Sequence, residues 1–363
     1  MKILIASTLK RKIAEDVTAS RSRIIYEIAS GLFKNGHEVS LIGTADSNVQ
    51  GVKTIPVIDK GFAELSGFEN RFYAETSFLV SLCKKVEEIG PSFDVIHNHT
   101  YPEFFNLFAG DRIKTPMITT LHAQETPEYD EVLSLFPNAN LVSISNAHRS
   151  MFKKAKIQNV VYNGIDTQIF SLESKKDDYL LWIGRLGKAR DENNNFVDAK
   201  GIIWAIKLAK ETGERLLITG NVEDPEFFDK EVKPHLNDKI EWIGPVSAEQ
   251  KLPRDEVVRL YQKAKAFLMT VNWEEPFGLV MAEAMSCGTP VIGFNRGAVS
   301  EVVLSGKTGF VVNPQEGIEG LKRALGKINS ISPKDCRKHA VDNFSVQAMV
   351  NNYENLYREV VGT

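Results

Sequence analysis

Three cysteines in 363 residues, Cys83, Cys287 and Cys336, are too few and too scattered for a disulfide framework. No CxxC pair or suitably spaced histidine joins them in a structural zinc site, so free thiols in a reducing cytosol are expected. Charge of one sign is also missing. The 44 basic and 47 acidic residues leave a net of −3, which excludes a broad nucleic-acid-binding surface. Any bound anion must therefore be held by a local site. No apolar run reaches the length needed to span a bilayer, and the stretch in "MKILIASTLKRK" is too short for a signal-peptide core. A cytoplasmic, soluble protein is expected, with peripheral contact at a membrane surface left open. No Gly-x-Gly-x-x-Gly follows a candidate strand, which argues against a dinucleotide-dependent oxidoreductase.

What is present is a long alternation of short apolar runs and amphipathic segments, in a chain whose length suits two domains. "KILIAS", "EVSLIG", "FDVIHNH", "PMITTLH", "NLVSIS" and "VVYNG" read as buried strands, and "RSRIIYEIASGLFKNG" as a helix closing on Gly36. After the polar stretch "GIDTQIFSLESKKDD" the alternation restarts with "YLLWIG", "RLLITG", "KIEWIG", "AFLMT", "PVIGF" and "GFVV". Such alternation predicts two α/β units with parallel sheets covered on both faces, over 1–166 and 177–343. A last segment, 344–363, places Val346, Met349, Val350, Tyr353, Leu356, Tyr357 and Val360 on one helical stripe that must dock. Ligands of open parallel sheets sit outside the carboxyl ends of the strands, so the default site is the cleft between the units.

Arg185 follows the strand "YLLWIG", and fifteen residues on Lys200 and Gly201 open a helical segment. Two cations beside a helix start predict a diphosphate site, with free N–H groups adding to both charges. Glu275 and Glu283 bracket a second helix start in "EEPFGLVMAEAMSCG", about 10 Å apart along the axis. That is too far to share a proton, and matches the span from a sugar to a ribose across a diphosphate. Gly278, without a Cβ, lets the amides of Phe277, Gly278 and Leu279 approach a ligand. Glu283 lies among Met281, Ala282, Ala284 and Met285 and needs a partner or a ligand. Glu274 has no assigned role. His97, His99 and His122 stand at strand ends in the first unit; His97 and His99 are expected to address opposite faces, and their spacing makes no metal site.

These segments, in this order, resemble the retaining glycosyltransferases of family 4, with the GT-B fold of two Rossmann-like α/β domains facing across a cleft and a C-terminal helix returning to the first. "EEPFGLVMAEAMSCGTPVIG", "GFNRGAVSEVVLSGKTGFVV", "IGRL" with the later "KG", "EWIGPVS", "VYNGIDTQIF" and "GLFKNGHEVSLIG" carry the resemblance over nearly the whole chain. It implies transfer of a hexose from a nucleotide diphosphate sugar to a sugar, lipid-linked or small-molecule acceptor. UDP-sugars are favoured as donors and GDP-mannose comes second. By the resemblance, Glu275 holds hydroxyls of the transferred sugar with the amides of Phe277, Gly278 and Leu279, and Glu283 accepts from the ribose. Arg185, beside Gly184, and Lys200 neutralise the leaving diphosphate. Gly244 and Val246 lie beside the nucleobase, and His122 reaches the donor sugar. The implied front-face substitution lets the leaving phosphate oxygen take the acceptor proton, with no metal and no cofactor.

Two segments depart from the family pattern. "STLKRKIAEDVTASRSR" stands where many relatives have a Gly-Gly loop, and one or more of Lys10, Arg11, Lys12 or Arg21 is expected to take the place of backbone amides. His99, Arg21 and Lys12 are the acceptor-side candidates. The insertion "GKARDENNNFVDA" is expected to form a mobile flap, and Lys188 competes with Lys200 for the cation's role. An epimerase acting on the nucleotide-sugar, or a binding protein without turnover, is the alternative reading.

Overall fold

The computed structural model describes residues 1–187, 189–246 and 252–362. The chain divides into two compact units: Met1–Gly164 joined by the segment from Val346, and Ile165–Ser345.

The first unit holds a seven-stranded sheet of β1 (Lys2–Ala6), β2 (Glu38–Thr44), β3 (Lys53–Ile58), β4 (Val95–Asn98), β5 (Met117–Thr120), β6 (Asn140–Ser143) and β7 (Asn159–Val160). Its order is β3-β2-β1-β4-β5-β6-β7, and every pairing is parallel. Residues from both faces of this sheet are buried, which is why its strands read as continuous apolar runs. β3 has no such run because Pro56 interrupts it. It pairs only with β2, at the edge where a missing N–H is tolerated.

The second unit repeats the plan with β8 (Leu180–Ile183), β11 (Leu216–Thr219), β12 (Ile240–Gly244), β13 (Ala266–Met269), β14 (Val291–Phe294) and β15 (Gly309–Val312), ordered β12-β11-β8-β13-β14-β15 and parallel throughout. In each sheet the strand order reverses beside the first strand, between β1 and β4 and between β8 and β13. Those are the points where a parallel sheet opens a crevice for ligands.

The segment expected as a mobile flap is an antiparallel hairpin, β9 (Ala189–Arg190) with β10 (Phe196–Val197). Arg190 pins it: the guanidinium lies 4.3 Å from the Phe196 ring centroid and bonds Asp224 at 2.9 Å and Glu226 at 2.8 Å. Asp191 closes the turn by accepting from the amides of Asn193 and Asn195. Lys188, the competing cation, lies outside the described residues.

The last helix, Val346–Val361, belongs to the first unit and buries Met349, Val350, Tyr353, Leu356 and Tyr357 of the expected stripe. Glu354 is buried with them, where Asn35 donates to it at 2.8 Å and His37 approaches within 3.0 Å. Burial opposes its ionisation, but the Asn35 and His37 contacts hold the carboxyl below its ordinary range. Among the described residues, no helix is long and apolar enough to cross a membrane.

Candidate functional site

In the second unit the loops after β8 and β13 carry the predicted residues. Gly201 has φ +73°, and a Cβ there would fall 1.7 Å from the Thr270 carbonyl oxygen, so only glycine lets the two loops meet. The Thr270 hydroxyl donates to the Gly201 carbonyl at 2.6 Å, the Trp182 indole to the Lys200 carbonyl at 3.3 Å, and the Asn272 amide to the Ala199 carbonyl at 2.9 Å. This stitching fixes the backbone from which Lys200 extends. Its Nζ reaches Glu275 Oε2 at 2.8 Å, and the Trp273 indole N–H donates to the same oxygen at 3.1 Å. The ammonium also lies 4.2 Å from the Trp273 ring centroid. Lys200 and Glu275, 75 residues apart in sequence, are therefore brought into one cluster in which Glu275 is buried and Lys200 and Trp273 are half-buried.

Arg185 follows β8 as expected, but its nearest carboxylate is Glu223, at 3.7 Å, and the side chain is 42% exposed. Each predicted diphosphate cation thus has a carboxylate beside it in the ligand-free chain.

The helix opened by Gly201 runs from Ile202 to Thr212, and its first amides are not free, contrary to expectation. Asp198 Oδ1 accepts from the amides of Gly201 and Ile202, and Oδ2 from that of Ile203. A capping carboxylate occupies the place assigned to phosphate oxygens. Burial raises the Asp198 pKa above its ordinary value despite these three bonds, which pull the other way. Asp198→Ala should cost about 1–2 kcal/mol in stability, read as a lower thermal midpoint; an unchanged midpoint would show the cap to be dispensable.

The other helix start does hold open donors. Gly278 has φ +83° and precedes the helix Leu279–Ser286. The amides of Gly278 and Leu279 have no acceptor among the described residues. Phe277 turns its ring into the core, 5.7 Å from the Phe344 ring. Glu283 lies within the helix, half-buried, and has the partner its surroundings demand: the Tyr261 hydroxyl donates to Oε2 at 2.9 Å. Glu274, left without a role, accepts from the Gly297 amide and lies 3.5 Å from Arg296. The carbonyl of Glu275 accepts from the Ala298 amide at 2.8 Å, so this loop is fixed from below.

Gly184 packs beside the Trp182 ring, and its amide donates to the Thr219 carbonyl. The Gly244 carbonyl accepts from the Thr219 hydroxyl at 2.7 Å and the Gly220 amide at 2.9 Å, while the Val246 amide donates to Asn221 at 3.2 Å. The chain from 247 to 251, which follows these residues, lies outside the described ones.

In the first unit the opposite-face expectation for the histidines is overturned: residues two apart along a strand share a face, and the His99 ring, just past the end of β4, lies 3.9 Å from that of His97. Both rings are fully buried. His97 Nδ1 meets the Tyr357 hydroxyl at 2.6 Å, and its Nε2 the Thr120 hydroxyl at 2.8 Å. His99 Nδ1 meets His122 Nε2 at 2.8 Å, and His99 Nε2 has no partner among the described residues. Arg21 forms a 2.8 Å ion pair with the buried Glu103 and lies 4.7 Å from the Tyr101 ring centroid. Lys12 pairs with Asp16 at 2.9 Å. His99, His122, Arg21 and Glu103 share this part of the unit, because the His122 amide donates to Glu103 at 3.4 Å. Among the described residues, no hydrogen bond joins Lys12 to that group. Among the described residues, no group of three His, Cys, Asp or Glu side chains is arranged to hold a metal ion.

Sequence reasoning missed Asp198, Trp273, Tyr261 and Glu103. Asp198 stands four residues before the first helical residue, Ile202, outside the usual N-cap position. The others depend on long-range contacts with no local pattern.

Residues 165–341 match the family of glycosyl transferases group 1, and residues 22–169 match Glycosyltransferase Family 4. The chain is 25% identical to the N-acetyl-alpha-D-glucosaminyl L-malate synthase of Bacillus anthracis, over 92% of each chain. Among solved structures it is similar to AviGT4, a glycosyltransferase involved in avilamycin A biosynthesis, with a TM-score of 0.71 at 21% identity over 100% of this chain and 98% of that one. It is also similar to Anabaena HepE in complex with UDP-glucose, with a TM-score of 0.69 at 16% identity over 99% of this chain and 100% of that one.

Proposed function

Because the chain belongs to the family 4, group 1 glycosyltransferases and its two α/β units have the GT-B fold, we propose that it transfers a hexose from a nucleotide diphosphate sugar with retention of anomeric configuration. The observation that carries this reading is the Lys200–Glu275 pair in the unit that also presents the amides of Gly278 and Leu279, which have no acceptor among the described residues. Glu275 would take hydroxyls of the sugar, the two amides would approach it, and Glu283, oriented by Tyr261, would take the ribose. Lys200 and Arg185 would face the diphosphate. Their carboxylate partners hold the cations in place until a more strongly charged anion displaces them.

In the proposed step the bond from the anomeric carbon to the diphosphate oxygen breaks, and the acceptor oxygen bonds on the same face. The acceptor proton passes to the departing phosphate oxygen. Lys200 and Arg185 stabilise the charge that grows there, an interaction stronger in the transition state than in the bound donor. His122 is assigned to the transferred sugar, and His99 and Arg21 to the acceptor. UDP-sugars are the first donors to try, since a solved structural relative holds UDP-glucose, and GDP-mannose the second. The malate acceptor in the name of the Bacillus relative supports including small carboxylic acids beside sugars and lipid-linked acceptors.

Incubation with UDP-glucose, UDP-N-acetylglucosamine and GDP-mannose, with and without such acceptors, should release nucleoside diphosphate. Interconversion of the sugar without that release would establish an epimerase instead. Because side-chain cations are assigned the diphosphate charge, treatment with EDTA should leave the rate within about twofold of the untreated enzyme. A loss restored by a divalent cation would contradict the assignment.

A further inference from the structure

Glu275 Oε2 receives two donors of different kinds. Lys200 brings a compact ammonium on a flexible stem, whereas Trp273 brings an N–H on a rigid ring two residues away in the same loop. That loop is pinned at Asn272, whose amide bonds the Ala199 carbonyl, whose Nδ2 donates to the Asp198 carbonyl at 2.8 Å, and whose Oδ1 accepts from Trp204 at 3.1 Å. Glu275 itself is 8% exposed, so water cannot replace a lost donor easily. Its Oε1 has no donor among the described residues and is left for a ligand hydroxyl.

The proposed reaction asks two things of Lys200. It must meet the diphosphate, yet in the ligand-free chain it neutralises Glu275. A diphosphate carries more negative charge than one carboxylate, so its arrival draws the ammonium away and leaves a buried carboxylate short of one donor. Building on the function proposed above, we propose that Trp273 is the positioning residue that holds Glu275 through this exchange. The indole N–H cannot follow the ammonium, so Oε2 stays anchored and Oε1 keeps its direction toward the sugar. The indole face, 4.2 Å from the ammonium, is the resting place from which Lys200 departs.

Trp273→Phe keeps an aromatic face and removes the N–H. With the nucleotide-sugar that the wild-type chain turns over, this variant should lose roughly ten- to hundredfold in kcat/KM, the worth of one hydrogen bond to a charged group. Calorimetric binding of UDP, GDP or ADP should stay within about threefold of wild type, because the diphosphate does not rest on Glu275. Trp273→His, which retains a ring N–H, should recover part of the lost rate. All three proteins are compared below the melting onset of the least stable. A Trp273→Phe rate within about twofold of wild type would overturn the role of Trp273 alone, as would parallel losses of rate and diphosphate binding, or failure of the histidine to recover any rate. If the wild-type chain binds none of the three diphosphates, the donor reading fails and takes this inference with it.

Discussion

Arg185→Ala should lower turnover roughly 10²- to 10³-fold while leaving the thermal midpoint almost unchanged, the size of effect seen when one group that stabilises transition-state charge is removed. The two halves of this expectation come from different observations. Arg185 is 42% exposed, and its ion pair with Glu223 is long, at 3.7 Å. Exposed pairs of that kind contribute about 0–1 kcal/mol, so stability has little to lose. The rate, by contrast, depends on charge appearing on the leaving diphosphate, which a guanidinium at the end of β8 is proposed to meet. Lys200→Ala should cost a similar factor in turnover, but it also removes the cation beside the buried Glu275 and should lower stability by about 1–3 kcal/mol. Comparing the two variants therefore separates catalysis from folding: equal losses of stability, or an Arg185→Ala enzyme at full rate, would defeat the assignment.

The strands were legible because both faces of each sheet are covered, so residue after residue is apolar. β3 was not, since its edge position tolerates Pro56 and a half-exposed pattern. The β9–β10 hairpin was also invisible, because Arg190 holds it to Asp224 and Glu226, more than thirty positions away. In the site, Gly278, Glu275 and Glu283 announced themselves through a turn and helix start confined to ten residues. Lys200 was readable only as a cation beside a glycine; its partner is set by the Thr270–Gly201 approach, which no local pattern encodes. The helix-start amides were misjudged because Asp198 was not weighed as their cap. The opposite-face expectation for His97 and His99 fails because positions two apart along a strand share a face. His97 meets residues of the last helix, the Tyr353 ring at 4.6 Å and the Tyr357 hydroxyl, the latter 260 positions away in sequence.

That burial makes the first unit acid-sensitive. His97, His99 and His148 are enclosed and hydrogen-bonded as neutral rings. Burial lowers the His97 pKa from the ordinary 6.5 to about 3 and that of His148 to about 4, and burial followed by neighbouring charge puts His99 well below its ordinary value. His122 is also lowered, chiefly by burial, but the residue is only half-buried. Above the unfolded pKa the rings are neutral in both states and add no pH dependence. As pH falls below that value the unfolded chain takes up protons that the folded chain refuses, so stability is lost over the window down to the folded pKa values. One such proton is worth about 1.4 kcal/mol per pH unit, so three give about 4 kcal/mol per unit at most, against a total stability of about 5–15 kcal/mol. The thermal midpoint should therefore drop steeply between pH 6.5 and 5, well above the range where carboxylates titrate. His97→Gln, which cannot charge, should flatten the slope by about one proton even if it lowers the midpoint at pH 7.5. A midpoint equal at pH 7.5 and pH 5 would mean that these rings are accessible to protons in the folded chain.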